Sequence, residues 1–253
     1  MNLGQRDEPP PEGQVVVFIH GYRVSFADAA RRAAQLSCDL NMPTVLYSWA
    51  SAGKLFLYNR DADCSKITIP RLLDFIHIIA DFSGATTVHL IAHSMGNVPL
   101  TAALQEFFRT RGQPGSPIFR NIVLAAPDVN ATVFKEQIAP AISDKGARVT
   151  LYASRNDRAL LASRLHATLS RNLMFQRLGD ARRGQICVLP NMDTIDASAV
   201  DTSFLGHSYF STKPAVVDDI FYLLTHGLDP DQRFGMIRRN HPDGQYWVLE
   251  PRS

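Results

Sequence analysis

The sequence has no segment suited to carrying it into or across a membrane. No run approaches the roughly 18 consecutive apolar residues that a spanning helix needs. The first residues, MNLGQRDEPPPEGQ, are polar and proline-rich rather than an apolar signal. Cysteine is scarce: only Cys38, Cys64 and Cys187 occur, and none stands in a CxxC pair. An odd count without metal-type spacing argues against a disulfide framework and against a zinc site, and favours free buried thiols. A surplus of one charge is missing as well. The formal net charge is +2, and the arginines come singly or in pairs (Arg31-Arg32, Arg182-Arg183, Arg238-Arg239). No basic run therefore suits nucleic acid or a membrane surface, and these charges read as solvated surface. Internal repeats and low-complexity segments are also lacking. The expectation is a soluble protein without stable membrane insertion. It reads as cytoplasmic, or as secreted or periplasmic if a leader has been removed.

What is present is material for a core. Hydrophobic residues make up 45% of the 253, with a mean hydropathy near zero, as in ordinary globular proteins. Residues 1–13 read as a disordered leader and 14–253 as a single domain. Short apolar runs follow, at VVVFI (15–19), TVLYSW (44–49), TVHLIA (87–92), NIVLAA (121–126), RVTLYA (148–153) and QICVL (185–189). All but the second are almost continuously hydrophobic, the pattern of strands covered on both faces. Amphipathic stretches alternate with them. One starts near Ser25, where Ser25-x-x-Asp28 resembles a capping box. A second follows Pro70, with Leu72, Leu73, Ile76, Ile79 and Ala80 on one stripe. A third starts after Ser94 and carries Leu100, Ala103, Leu104 and Phe107, others cover about 131–143 and 157–172, and the last runs from Pro214 to Gly227. Alternating strands and helices predict right-handed βαβ units, hence an α/β fold with a mostly parallel central sheet and helices on both faces. The stretch from Asp128 to Arg148 holds little more than one helix, which predicts no large cap domain there. The segment 51–69 is the candidate for a small flap. The tail is expected to turn at Pro242-Asp243-Gly244 and dock a strand.

In open parallel sheets, ligands bind beyond the carboxyl ends of the strands. Polar residues that follow the predicted strands are therefore the site candidates: His20-Gly21-Tyr22-Arg23, Ser94, Asp128, Asp157, and His207 before the final helix. Ser94 sits in AHSMGN, which departs from the G-x-S-x-G elbow by having Ala92 for the first glycine. On its own it could be a helix-capping serine. A serine hydroxyl needs a base, and the base needs a carboxylate to hold its tautomer. The chain supplies Ser94, Asp157 and His207 in the order Ser…Asp…His of α/β-hydrolases, with Asp128 as the alternative acid. His166 and His226 lie in helical patterns and His241 in the tail, so His207 is the candidate base.

His89 and His93 are about 13 Å apart if they lie on one strand, too far to share a metal ion. Asp61 and Asp63 read as a solvated acidic pair in a loop, short of the oxygens that calcium needs. Asp193, Asp196 and Asp201 read as caps or pinning groups in the loop before His207.

The segments FIHGY, LYSWAS, HLIAHSMGN, LAAPDVN, YASRND, DTIDAS and GHSYF, spread from residue 15 to about 226, resemble the α/β-hydrolase superfamily. Within it the chain looks like the bacterial family of esterase-like hydrolases with an A-H-S-M-G-N elbow and no settled physiological role. That resemblance implies a Ser-His-Asp esterase on the α/β-hydrolase fold. The expected oxyanion donors are the main-chain N–H of Met95 and that of Tyr22, with Arg23 as the neighbouring candidate. His20 is expected to orient that loop. Trp49, Tyr58 and Phe56 are expected either to line an acyl pocket or to pack in the core. The expected substrate is a small acyl ester of short to medium chain, cleaved through an acyl-enzyme with no metal or organic cofactor. An acyltransferase or thioesterase would use the same residues, and a non-catalytic binding protein on this fold is the alternative from another class.

Overall fold

A computed structural model describes residues 12–54, 57–111, 119–143, 145–155, 176–182, 185–200 and 215–251. Asp157, His207, Phe56 and the helix expected over 157–172 lie outside the described residues.

The near-continuous apolar runs become buried strands: β1 (Gln14–Ile19), β3 (Thr87–His93), β4 (Phe119–Ala125) and β5 (Arg148–Ala153). With β2 (Thr44–Tyr47), β6 (Met192–Asp196), β7 (Met236–His241) and β8 (Gly244–Leu249) they form one sheet in the order β2-β1-β3-β4-β5-β6-β8-β7. Every neighbouring pair is parallel except β7 with β8. Side chains alternate across the strands. Val17, Ile19, Leu90 and Ala92 face one layer, while Val16, Phe18 and Ile91 face the other. The first layer is closed by α3 (Ile69–Phe82) and α4 (Asn97–Arg111). The second is closed by α1 (Phe26–Leu40) and by the helix Ala215–Phe221. Each fully buried Val, Leu, Ile or Phe stabilises the fold by roughly 1.5–3 kcal/mol, which is why these runs cannot remain loops.

Local chemistry sets the helix ends. Asp28 N–H donates to Ser25 Oγ at 3.2 Å, which caps the start of α1 at Ser25, and that hydroxyl donates to Asp28 Oδ2 at 2.6 Å. Asn41 ends it with φ 50°. The stretch expected as one helix over 131–143 is broken into Ala131–Val133, a π-helical turn over Phe134–Ile138, and Ala139–Ile142. Pro140 opens the last piece and has no N–H to give the preceding turn. The final helix passes into a π turn over Tyr222–His226 and stops at Gly227, φ 64°.

The fold corrects three expectations. The strand expected at QICVL is not one. Ile186 and Val188 are buried with Ala153 and Ala181 in a small cluster, and β6 is instead the charged MDTID. Its Asp193 is satisfied from the neighbouring strand, by Arg148 Nε at 2.7 Å. Asp193 and Asp196 therefore sit on a strand and not in a loop. The segment 51–69 is no loose flap over its described part, because α2 (Tyr58–Ile67) packs against α4 and the turn after β3. Finally, Asp61 is not solvated but wholly buried on that helix. The tail does turn at Pro242-Asp243, and its β8 docks in parallel beside β6. Among the cysteines Cys187 is buried, its thiol pKa pushed up to about 11 by that burial, while Cys38 is exposed.

Candidate active site

Ser94 lies where the buried strand β3 ends and a short 3-10 turn, Ser94–Gly96, leads into α4. Its backbone φ is 50°, a left-handed value rare for a residue with a side chain. Such a conformation persists only where the surroundings over-determine it. Two contacts do so here. Asn97 is wholly buried, and its Nδ2 donates to the carbonyls of Ala92 at 3.3 Å, Ser94 at 3.0 Å and Ala125 at 3.3 Å. Asp128 N–H donates to the Ser94 carbonyl at 3.2 Å. Gly96 presses on the end of β1, where a Cβ would collide with the His20 carbonyl and stand 2.9 Å from that of Ile19. Among the described residues the Ser94 side chain takes no hydrogen bond, so it does not serve as a cap.

The loop after β1 lies directly over this turn. A Cβ on Gly21 would sit 2.8 Å from His93 Nδ1 and 3.0 Å from Ser94 Cβ, so only glycine allows the approach. His20 holds the loop as expected of it. Its Nε2 accepts from Trp49 N–H at 3.2 Å, which leaves Nδ1 to donate to the Gly21 carbonyl at 3.0 Å. Trp49 stacks on the imidazole at 5.3 Å and donates from its indole to the His20 carbonyl at 2.7 Å. Trp49 is therefore a buried prop of the loop. Desolvation by burial lowers the pKa of His20, and that of His93 falls to about 3, with the nearby Arg32 and His20 adding to the effect. Neither carries charge near neutral pH. His89 is a core residue tied to Gln14 and Asn121, each at 2.9 Å.

Arg23 also adopts a left-handed φ of 60°. Its N–H donates to Asp61 Oδ2 at 3.3 Å, which commits that amide to a carboxylate and leaves Tyr22 and Met95 as the oxyanion candidates. Tyr58, at the start of α2, meets the Tyr22 ring edge-on at 5.4 Å and donates to Asp128 Oδ2 at 2.6 Å. Arg177 Nε lies 3.1 Å from Asp128 Oδ1. Ser94, Met95, Tyr22, Arg23, Tyr58 and Asp128 are thus gathered at one edge of the sheet. The sequence reading missed Asn97 and took Asp61 for a solvated loop acid. A polar residue opening a helix and an acid between polar neighbours both look like surface, so nothing in the pattern marked them as buried. Among the described residues no three His, Cys, Asp or Glu side chains gather to hold a metal.

A scan against known families matches residues 2–226 to the family described as "Alpha/beta hydrolase of unknown function (DUF900)". The chain belongs to that family. The described sheet agrees with it in fold: a mostly parallel α/β-hydrolase sheet, extended beyond the matched residues by the β7–β8 hairpin. No curated protein matches the sequence. Several solved structures are similar at low identity. An esterase of Pyrococcus furiosus is 12% identical with a TM-score of 0.40, covering 74% of this chain and 74% of that one. A "predicted CIB-like hydrolase" of Thermoplasma acidophilum is 13% identical with a TM-score of 0.37, covering 73% and 76%. An esterase domain from Rhodothermus marinus is 8% identical with a TM-score of 0.39, covering 76% and 79%. No helix among the described residues is long and apolar enough to cross a membrane.

Proposed function

We propose that this α/β hydrolase cleaves carboxylic esters of short to medium acyl chain, with Ser94 as nucleophile. The observation that carries the reading is the backbone of Ser94. A left-handed φ of 50° at the strand-to-helix turn, held by Asn97, presents a hydroxyl that caps nothing. A serine used only for its packing has no need of that conformation.

In this reading His207 takes the Ser94 proton as Oγ attacks the ester carbonyl carbon, and Asp157 orients His207. The main-chain N–H groups of Met95 and Tyr22 hold the developing oxyanion. The C–O bond to the alcohol breaks as His207 returns the proton to the leaving oxygen. Water, deprotonated by His207, then attacks the acyl carbon, the C–Oγ bond breaks as His207 returns the proton to Ser94, and the acid is released. Asp157 and His207 enter from their order in the sequence. Asp128 is already bonded through both carboxylate oxygens, by Tyr58 and Arg177, which favours Asp157 as the acid.

The test is covalent labelling by a fluorophosphonate with mapping of the labelled peptide, together with hydrolysis of p-nitrophenyl esters of graded chain length. Label on Ser94, and loss of nearly all turnover in folded Ser94→Ala and His207→Ala, is the expected result. Unchanged turnover in Ser94→Ala, or label elsewhere, sinks the mechanism. Comparing Asp157→Asn with Asp128→Asn identifies the acid.

A further inference from the structure

Asp61 is a wholly buried carboxylate outside the set that performs the proposed chemistry. A buried carboxylate is costly unless hydrogen bonds compensate it, so its partners indicate what it holds. Oδ1 accepts from Ala52 N–H at 2.7 Å. Oδ2 accepts from the Ser51 hydroxyl at 2.6 Å and from Arg23 N–H at 3.3 Å. The Ser51 hydroxyl in turn accepts from Val24 N–H at 3.2 Å. One carboxylate on α2 therefore gathers two successive amides of the loop after β1, one directly and one through Ser51. It also fixes the backbone at Ala52. Arg23, with φ 60°, is the strained residue of that loop, and its amide is the one bonded directly to Asp61. The same loop reaches Ser94 through Gly21 and carries Tyr22.

We infer that Asp61 is a positioning residue, fixing the Tyr22–Val24 loop in its strained form so that the loop's oxyanion-binding amide faces the reacting carbonyl over Ser94. The inference rests on the ester-hydrolase reading. With Arg23 N–H turned toward Asp61, the loop is left to serve the oxyanion through Tyr22. Asp61 touches no reacting atom in this scheme. Its effect falls on the transition state, where the oxyanion carries charge, more than on the bound ester.

The experiment compares the wild-type chain with Asp61→Asn and Ser51→Ala. It measures kcat and KM on p-nitrophenyl acetate, inhibition by phenylboronic acid, which forms a tetrahedral adduct on serine, and thermal unfolding. Losing one well-placed oxyanion donor typically costs about 10²–10³ in kcat, and a displaced donor costs part of that. Asp61→Asn is expected to lower kcat roughly 10- to 100-fold with KM within about twofold, and to weaken the boronate by a similar factor. Ser51→Ala, which frees the Val24 amide and takes one donor from Asp61 while leaving the Arg23 and Ala52 amides bonded to it, is expected to lower kcat roughly 3- to 10-fold in the same pattern. A merely structural role would lower the folded fraction and leave the kinetics of the folded remainder unchanged. Folded Asp61→Asn with wild-type kcat and boronate affinity overturns the inference. If Asp61→Asn does not fold, Ser51→Ala decides: wild-type kcat there overturns it. Wild-type protein that neither turns over esters nor takes a fluorophosphonate on Ser94 overturns the ester-hydrolase reading, and this inference with it. Active, labelled wild type with unaffected variants overturns this inference alone.

Discussion

His93 makes the protein's stability depend on pH in a way that can be isolated. It sits half-buried at the end of β3, against the Gly21 loop, and desolvation together with Arg32 and His20 brings its pKa to about 3 from 6.5. The unfolded chain therefore takes up this proton first. The stabilisation is fully present above about pH 6.5 and is lost as pH falls toward about 3. Between pH 7 and 5 that loss comes to about 2 kcal/mol, at 1.36 kcal/mol per pH unit over most of the interval. Asp219 acts in the opposite sense. Burial raises its pKa to about 6, so its protonated form favours the folded state as pH falls through that value. The total pH profile is thus a poor measure of His93, and the difference against a variant is the right one. In His93→Gln, Asp219 contributes as before and the His93 contribution vanishes. Urea unfolding of both proteins at pH 7 and pH 5 is expected to show wild type losing about 2 kcal/mol more than the variant. In thermal melts the same difference is roughly 4–8 °C for a chain of this size. Parallel pH dependences in the two proteins would refute the burial argument.

Three further outcomes follow from packing. Asn97→Ala removes the donor shared by the Ala92, Ser94 and Ala125 carbonyls, and is expected to cost roughly 1–3 kcal/mol in urea unfolding while sharply lowering labelling of Ser94. Wild-type labelling in this variant would show that the turn holds its shape without Asn97. Gly96→Ala forces a methyl against the main-chain carbonyls of His20 and Ile19, so a loss of about 1–3 kcal/mol is expected, with ester hydrolysis falling as the loop after β1 is displaced. Unchanged melting and turnover would contradict that contact. Arg233 comes from beyond the residues matched to the family and is buried, with Nη1 2.8 Å from Asp219 Oδ2, while Tyr152 donates to the same oxygen at 2.5 Å. Arg233→Ala strands that carboxylate and is expected to destabilise by about 3–5 kcal/mol at pH 7, and by less at pH 5, where the isolated acid is protonated. An equal loss at both pH values would count against an unpaired charge.

The order of strands and helices was legible in the sequence because a sheet covered on both faces demands continuous apolar runs, and VVVFI, TVHLIA, NIVLAA and RVTLYA comply. The same rule misread the last parallel strand. MDTID looks too polar until Arg148 is seen reaching Asp193 from the adjacent strand, and QICVL looks like a strand although its apolar side chains pack without ladder partners. Ser94 and the glycine after His20 were legible because a sharp turn and a close backbone approach restrict residue type locally.

By itself, then, the sequence determined the α/β architecture and which loops stand at the carboxyl edge, since hydrophobic periodicity and local turn chemistry act between near neighbours along the chain. Tertiary structure alone decided what each polar group is for. Asp61 became a buried anchor only because α2 folds back to the loop after β1, and Trp49 became a prop of that loop only because its ring stacks on His20. The sign of a carboxylate's contribution depends on whether water or an amide stands beside it. That neighbour is supplied by residues tens of positions away, which no local pattern encodes.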